Sequence, residues 1–149
     1  MKEISERLNR FFDDHLPITD YLGMRVEEYD GTSLTLYAPL GPSLNDKLTA
    51  FGGSLYCLCV MSAWGVVYLK SLERGLKGAN IMVSSANIIY RAPVDTAIRA
   101  VCIRPPDDTW EKFFHHFEEK GKAKIKLTSS IEVEGKTAVT FEGEYVIAR

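Results

Sequence analysis

Residues Ser54 to Leu69 form a run of sixteen without one charged side chain, opened by Gly52 and Gly53. Apolar residues fall on every side of this segment rather than on one stripe. A helix of that kind has no face to give to water, so the rest of the chain must cover it all round. Burying a large apolar side chain yields roughly 1.5–3 kcal/mol, and about ten of them outweigh any local propensity. The run is shorter than the ~20 residues needed to cross a bilayer. Ser54, Ser62 and Gly65 interrupt it. It is therefore expected as the buried core helix of a soluble domain, with no membrane span.

The flanking segments supply the cover. Ile4, Leu8, Phe11 and Phe12 make one apolar stripe of a short helix that Pro17 stops. Met24 to Tyr29 alternates apolar and charged residues, Asp30-Gly31 marks a turn, and Leu34, Leu36 and Ala38 alternate in a second strand. Pro39, Gly41 and Pro42 end that strand, a loop runs from Ser43 to Phe51, and Gly75 and Gly78 mark the exit of the core helix. Strands follow at 80–90 and 96–104, separated by a break at 91–95. Asp107 or Asp108 is placed to cap a helix whose aromatic stripe is Trp110, Phe113, Phe114 and Phe117, closed by Gly121. Two long alternating segments, 123–133 and 136–148, join at Glu134-Gly135 as a hairpin.

The expected order is α-β-β-α-β-β-α-β-β in one domain over residues 1–149. Six strands and one wholly apolar helix have a simple α+β solution. A mostly antiparallel six-stranded sheet wraps round the central helix, the hot-dog arrangement. A two-layer sandwich would give each helix a polar face, and the central segment has none. A single wrapped layer leaves sheet edges, so a homodimer is expected, and such dimers can pair again into tetramers.

Composition narrows the function classes. With 46% hydrophobic and 26% charged residues the chain can bury a real core. Its net charge of −2 comes without any Lys/Arg run, which excludes the concentrated cationic face that nucleic acid requires. The start, MKEISERLNR, has no apolar stretch of a secretory signal. Cys57 and Cys59 are two apart in a helix and point to different sides, with no His at metal-ligand spacing. Reduced core cysteines, no metal and a cytoplasmic location are the expectation.

The segment Asn45-Asp46-Lys47-Leu48-Thr49-Ala50-Phe51-Gly52-Gly53-Ser54-Leu55, followed by Trp64-Gly65, resembles the hot-dog thioesterases. The likeness is greatest to the family of the YiiD C-terminal type and covers nearly the whole chain, including His15-x-Pro17 and Tyr90-Arg91-Ala92-Pro93. It implies an acyl-thioester hydrolase acting on acyl-CoA or acyl-carrier-protein without a cofactor. The phenylacetate-type relatives carry H-G-G before the helix, an Asn six residues earlier and an acid seven residues after the second Gly. Asn45 matches that Asn, but Phe51 stands at the His position and Val60 at the acid position. The resemblance therefore supplies no catalytic carboxylate.

Thioester hydrolysis builds negative charge on the carbonyl oxygen, and one well-aimed donor is worth roughly 3–4 kcal/mol. The first N–H groups of a helix have no internal partner and sit in positive potential. Gly53, helped by Ser54, is thus a candidate to polarise the acyl carbonyl, while Gly52 and Phe51 line the approach. The competing reading is a helix start that needs glycine only for packing. Asn45 orients water or closes an Asx-turn. Asp46 is the one nearby carboxylate, a base or a solvated loop residue. Ser54 is a water-positioning hydroxyl or an N-cap. Ser85 and Asn87 share one strand face, where they contact a pantetheine arm or merely bond across strands. Tyr90 joins the substrate-binding set.

The remaining candidates point away from catalysis. His115 and His116 diverge by about 100° on a helix and cannot be paired ligands. They and His15 are expected at the surface, and the aromatic stripe is expected as core or interface. The thiols in the apolar helix are expected to be poor nucleophiles. Two other functions compete with hydrolysis: non-catalytic acyl-thioester binding, and dehydratase or hydratase chemistry. The latter wants a His and an acid that this motif lacks.

Overall fold

The computed structural model describes residues 2–149. The chain runs α1 (Lys2–His15), α2 (Pro17–Leu22), β1 (Arg25–Tyr29), β2 (Ser33–Ala38), α3 (Gly52–Glu73), β3 (Asn80–Tyr90), β4 (Ile98–Ile103), α4 (Asp107–Lys120), β5 (Lys122–Val133) and β6 (Lys136–Ala148). A short 3-10 turn at Gly41–Ser43 precedes the loop into α3. The six strands form one sheet in the order β1-β2-β4-β5-β6-β3, and every neighbouring pair is antiparallel. The expected α+β wrap of a sheet round a central helix is the architecture found.

Local chemistry explains most element ends. Leu8 and Phe12 of α1 are fully buried. Pro17 ends α1 and also opens α2, a helix the sequence reading did not foresee. Proline costs nothing there, because a first-turn N–H has no helical acceptor. The β5–β6 turn places Glu134 and Gly135 at φ 51° and 77°, the left-handed pair a tight hairpin needs. Trp110, Phe113, Phe114 and Phe117 are all buried, so the aromatic stripe is core. Gly121 closes α4 at φ 75° and donates its N–H to Phe117. The cap at the other end differs from expectation. Pro106 is the N-cap, and Asp107 and Asp108 lie inside the first turn, where their charges still favour the helix.

The central helix departs from expectation in two respects. At 22 residues it is long and apolar enough to cross a membrane, so length does not exclude a span. Its place in the fold does. Leu58, Cys59, Ala63, Val66, Val67 and Leu69 are fully buried against the sheet. Ser62 meets Ser129 of β5 through their hydroxyls at 2.7 Å, and the Tyr145 hydroxyl of β6 donates to the Val60 carbonyl at 2.7 Å. Secondly, the cover is incomplete within one chain. Tyr56, Cys57, Val60, Met61, Trp64 and Tyr68 form a half-buried flank. Phe11 of α1 shields part of it, with ring contacts to Trp64 and Tyr68 near 5 Å.

The sheet has two edges of different character. On β1, Asn9 Oδ1 of α1 accepts the Val26 N–H at 2.9 Å. The strand β3 leaves Met82, Val83, Ile89 and Tyr90 exposed, although its other edge pairs with β6 along nearly its whole length. These four residues come from both faces of the sheet.

Candidate active site

The loop before α3 is built by its own side chains. Asn45 Oδ1 accepts the N–H groups of Lys47 and Thr49 at 2.9 and 3.1 Å. Its amide donates to Thr49 Oγ1 at 3.0 Å and reaches the Ala50 carbonyl at 3.5 Å. These bonds turn both polar atoms of Asn45 inward on the loop, so its geometry is that of a loop organiser. Ala50 donates to the Val94 carbonyl at 2.7 Å and Phe51 to the Ser43 carbonyl at 2.7 Å. The loop is thereby fastened to the segment after β3. Thr49 and Val94 hold the site in place and were not foreseen, because their bonds to Asn45 and to the Ala50 N–H are set only by how the loop folds.

The start of α3 presents free donors. Phe51 is the N-cap, with extended backbone and no side-chain cap. Its carbonyl accepts the N–H of Ser54 at 2.9 Å and of Leu55 at 3.2 Å. The amide of Ser54 is therefore occupied, and Ser54 is a buried first-turn residue rather than a cap. The N–H groups of Gly52 and Gly53 have no partner among the described residues. They are the two amides that remain to meet a ligand.

Both glycines lie under aromatic rings. A Cβ on Gly53 would fall 2.5 Å from Cε2 of Phe51, so the Phe51 ring folds back beside Gly53. That ring is 59% exposed. A Cβ on Gly52 would sit 3.5 Å from the Tyr90 ring, whose hydroxyl donates to the Gly52 carbonyl at 2.8 Å. Desolvation raises the Tyr90 phenol above its ordinary value of 10.0, so it stays a donor near neutral pH. Beside the helix start, Ala50, Gly52, Leu55, Tyr90 and the 91–94 segment line a hollow of about 370 Å³.

The other candidates fall elsewhere. Asp46 is exposed on the turn. Ser85 and Asn87 pair with Glu144 and Glu142, on the sheet face opposite to the one carrying Ile88, Phe141 and Ser129. They thus point away from α3, and Asn87 lines a separate hollow of about 440 Å³ with Ile89, Val101 and Thr140. Period-two alternation put Ser85 and Asn87 on one face correctly, but it could not say which face. A bulge between Val83 and Ser85 also shifts the register there. His15 lies exposed with its ring tilted against Phe11, and His115 pairs with Glu119 at 3.1 Å on the surface. Burial pushes the Cys59 and Cys102 thiols up to about 12, so neither is a nucleophile at neutral pH.

A family model described as "Putative thioesterase (yiiD_Cterm)" matches residues 5–149. Among solved structures, a Chlorobaculum tepidum protein of unknown function is 46% identical, with a TM-score of 0.95 over 99% of this chain and 96% of that one. A putative thioesterase from Shewanella oneidensis is 28% identical, with a TM-score of 0.86 over the whole of both chains. A thioesterase from Haemophilus influenzae shares the fold at 12% identity and a TM-score of 0.74, covering 97% of this chain and 90% of that one.

Proposed function

The chain belongs to the thioesterase family of the YiiD C-terminal type, and from that premise we propose that it hydrolyses acyl thioesters of coenzyme A or acyl-carrier-protein at the start of α3. The observation that carries this reading is the pair of unpartnered amides at Gly52 and Gly53, beside an apolar hollow. Water attacks the thioester carbon, and the carbonyl electrons move to oxygen. The Gly53 N–H, at the positive end of α3, holds that oxyanion. Collapse expels the thiolate, which takes up a proton, leaving a carboxylic acid and a free thiol. Glycine at 53 makes room for the Phe51 ring, which lies where a Cβ would stand and flanks the amide that meets the thioester.

The slot for the acyl chain lies between two copies of the chain. Exposed apolar residues on both faces of edge strand β3, together with the half-buried flank of α3, fit burial against a second protomer. Three unpaired cysteines suit a reducing compartment such as the cytoplasm. The test is release of free thiol from a panel of acyl-CoA and acyl-carrier-protein substrates. No turnover with any chain length or carrier would overturn the reading.

A second reading is a non-catalytic acyl-thioester binder. It is favoured by Val60 at the acid position, Phe51 at the His position and the remoteness of Asp46 from any buried environment. Calorimetry separates the two, because a binder takes up acyl-CoA and returns it intact.

A further inference from the structure

The carbonyl of Gly52 and the N–H of Gly53 are the two ends of one planar peptide group. The hydroxyl of Tyr90 donates to that carbonyl at 2.8 Å from 38 residues away. We propose that Tyr90 is a positioning residue, which orients and polarises the Gly53 amide by hydrogen-bonding to the other end of its peptide. The inference rests on the reading of Gly53 as the oxyanion donor. It assigns Tyr90 a role distinct from touching the substrate.

Two physical effects act through this one bond. A hydrogen bond accepted by a peptide oxygen draws electron density from its nitrogen, which makes the N–H on the far side a stronger donor. The bond also fixes the tilt of a peptide whose two flanking residues are glycines, the least restrained backbone available. The phenol itself is held firmly. Tyr90 pairs with Val139 at the end of β3, and the next residue, Arg91, donates to the Ala138 carbonyl at 2.7 Å. The ring lies against the Cα of Gly52, where a Cβ would make ordinary contact at 3.5 Å. The sheet end thus serves as a fixed post for the first peptide of the helix.

The experiment is Tyr90→Phe in the intact protein, read by steady-state kinetics and by the amide nitrogen resonance of Gly53. Losing one neutral hydrogen bond predicts a fall in kcat of about three- to tenfold, with KM changed less than about twofold. The Gly53 amide nitrogen should move upfield as its peptide loses polarisation. A variant with unchanged kcat, or one whose Gly53 resonance stays in place, overturns the proposal. A large rise in KM with kcat preserved also overturns it, because that pattern marks a substrate contact. Should Tyr90→Phe fail to fold, 3-fluorotyrosine at 90 keeps ring and hydroxyl and donates more strongly. It must then move the Gly53 resonance downfield, and a resonance that does not move refutes the idea. A wild-type protein that hydrolyses no thioester would sink the hydrolase reading. The Gly53 resonance would still report whether the phenol polarises that peptide.

Discussion

The two ends of α3 are built on opposite plans. At the N-terminal end the cap is Phe51, which offers no side-chain acceptor, and two glycine amides stay free. At the C-terminal end nearly every polar group is tied. Glu73 accepts from the Tyr29 hydroxyl and pairs with Lys70 at 2.9 Å. Arg74 bridges to Glu111 at 2.9 Å and stacks over the Phe114 ring at 4.7 Å. The basic groups there complement the negative end of the helix. A helix kept only for packing would be expected to close both ends alike. Leaving just the positive end unsatisfied, beside an apolar hollow, is what a site for an oxyanion requires.

Gly53→Pro attacks that contrast most directly. It removes the N–H at a first-turn position whose backbone accepts proline, although its side-chain carbons must push aside the Phe51 ring. Loss of one oxyanion donor predicts a fall in kcat of roughly 10²–10³-fold. Far-ultraviolet circular dichroism should show an intact helix. A folded variant with full activity would remove Gly53 from the mechanism.

Breaking the closed end should do the reverse, costing stability and sparing activity. Tyr29→Phe deletes the hydroxyl that donates to Glu73. A hydrogen bond to a charged group is worth about 1.5–3 kcal/mol, and the lower figure suits this partly buried pair. That corresponds to a Tm lowered by about 3–6 °C. The pH dependence has a definite sign. Burial, then the bond to Glu73, raises the folded Tyr29 phenol above its ordinary value of 10.0. Its contribution is complete below pH 10 and is lost as pH climbs further, because the unfolded chain releases the proton first. Denaturation series at rising alkaline pH should therefore fall less steeply for Tyr29→Phe than for the wild type. Equal slopes would show that this phenol contributes nothing to the alkaline limb.

The same contrast separates what the sequence disclosed from what it hid. The uncharged run, the hairpin turn at Glu134-Gly135 and the aromatic stripe of α4 were legible because each depends on local periodicity or turn chemistry. The glycines at 52 and 53 were legible as a helix start for the same reason. Three features were hidden because they depend on what meets what across the fold. Tyr90 and Gly52 are brought together by the placement of β3. Ser85 and Asn87 face outward because the pairing of β3 with β6 decides the face. The half-covered flank of α3 is set by how far α1 reaches. Ser54 illustrates a subtler limit. Its amide looked free by position, but the extended conformation of Phe51 aims a carbonyl at it.

Asn45 tests whether the loop or the chemistry needs this side chain. Asn45→Ala removes the bonds to Lys47, Thr49 and Ala50 together. An organiser of this kind should cost about 1 kcal/mol of stability. Activity should fall in parallel, roughly fivefold, through the altered setting of Phe51. The pH–rate profile should keep its shape. A loss of activity beyond 10²-fold without loss of stability would instead place Asn45 on the attacking water.

The smallest expected effect belongs to Asp46. A general base must reach the proton it removes, within about 2.6–3.2 Å or through one water. Asp46 lies exposed on the turn that precedes the free amides, in a loop whose hydrogen bonds run through its neighbours Asn45 and Lys47. An exposed carboxylate on a turn lacks the fixed orientation that base catalysis needs. Asp46→Asn should therefore leave kcat/KM within about twofold of wild type, since a general base typically contributes 10²–10⁴-fold. A fall of that larger size would move the reacting water to the loop side of the helix start. The contrast between the two ends of α3 would then lie in a carboxylate as well as in two free amides.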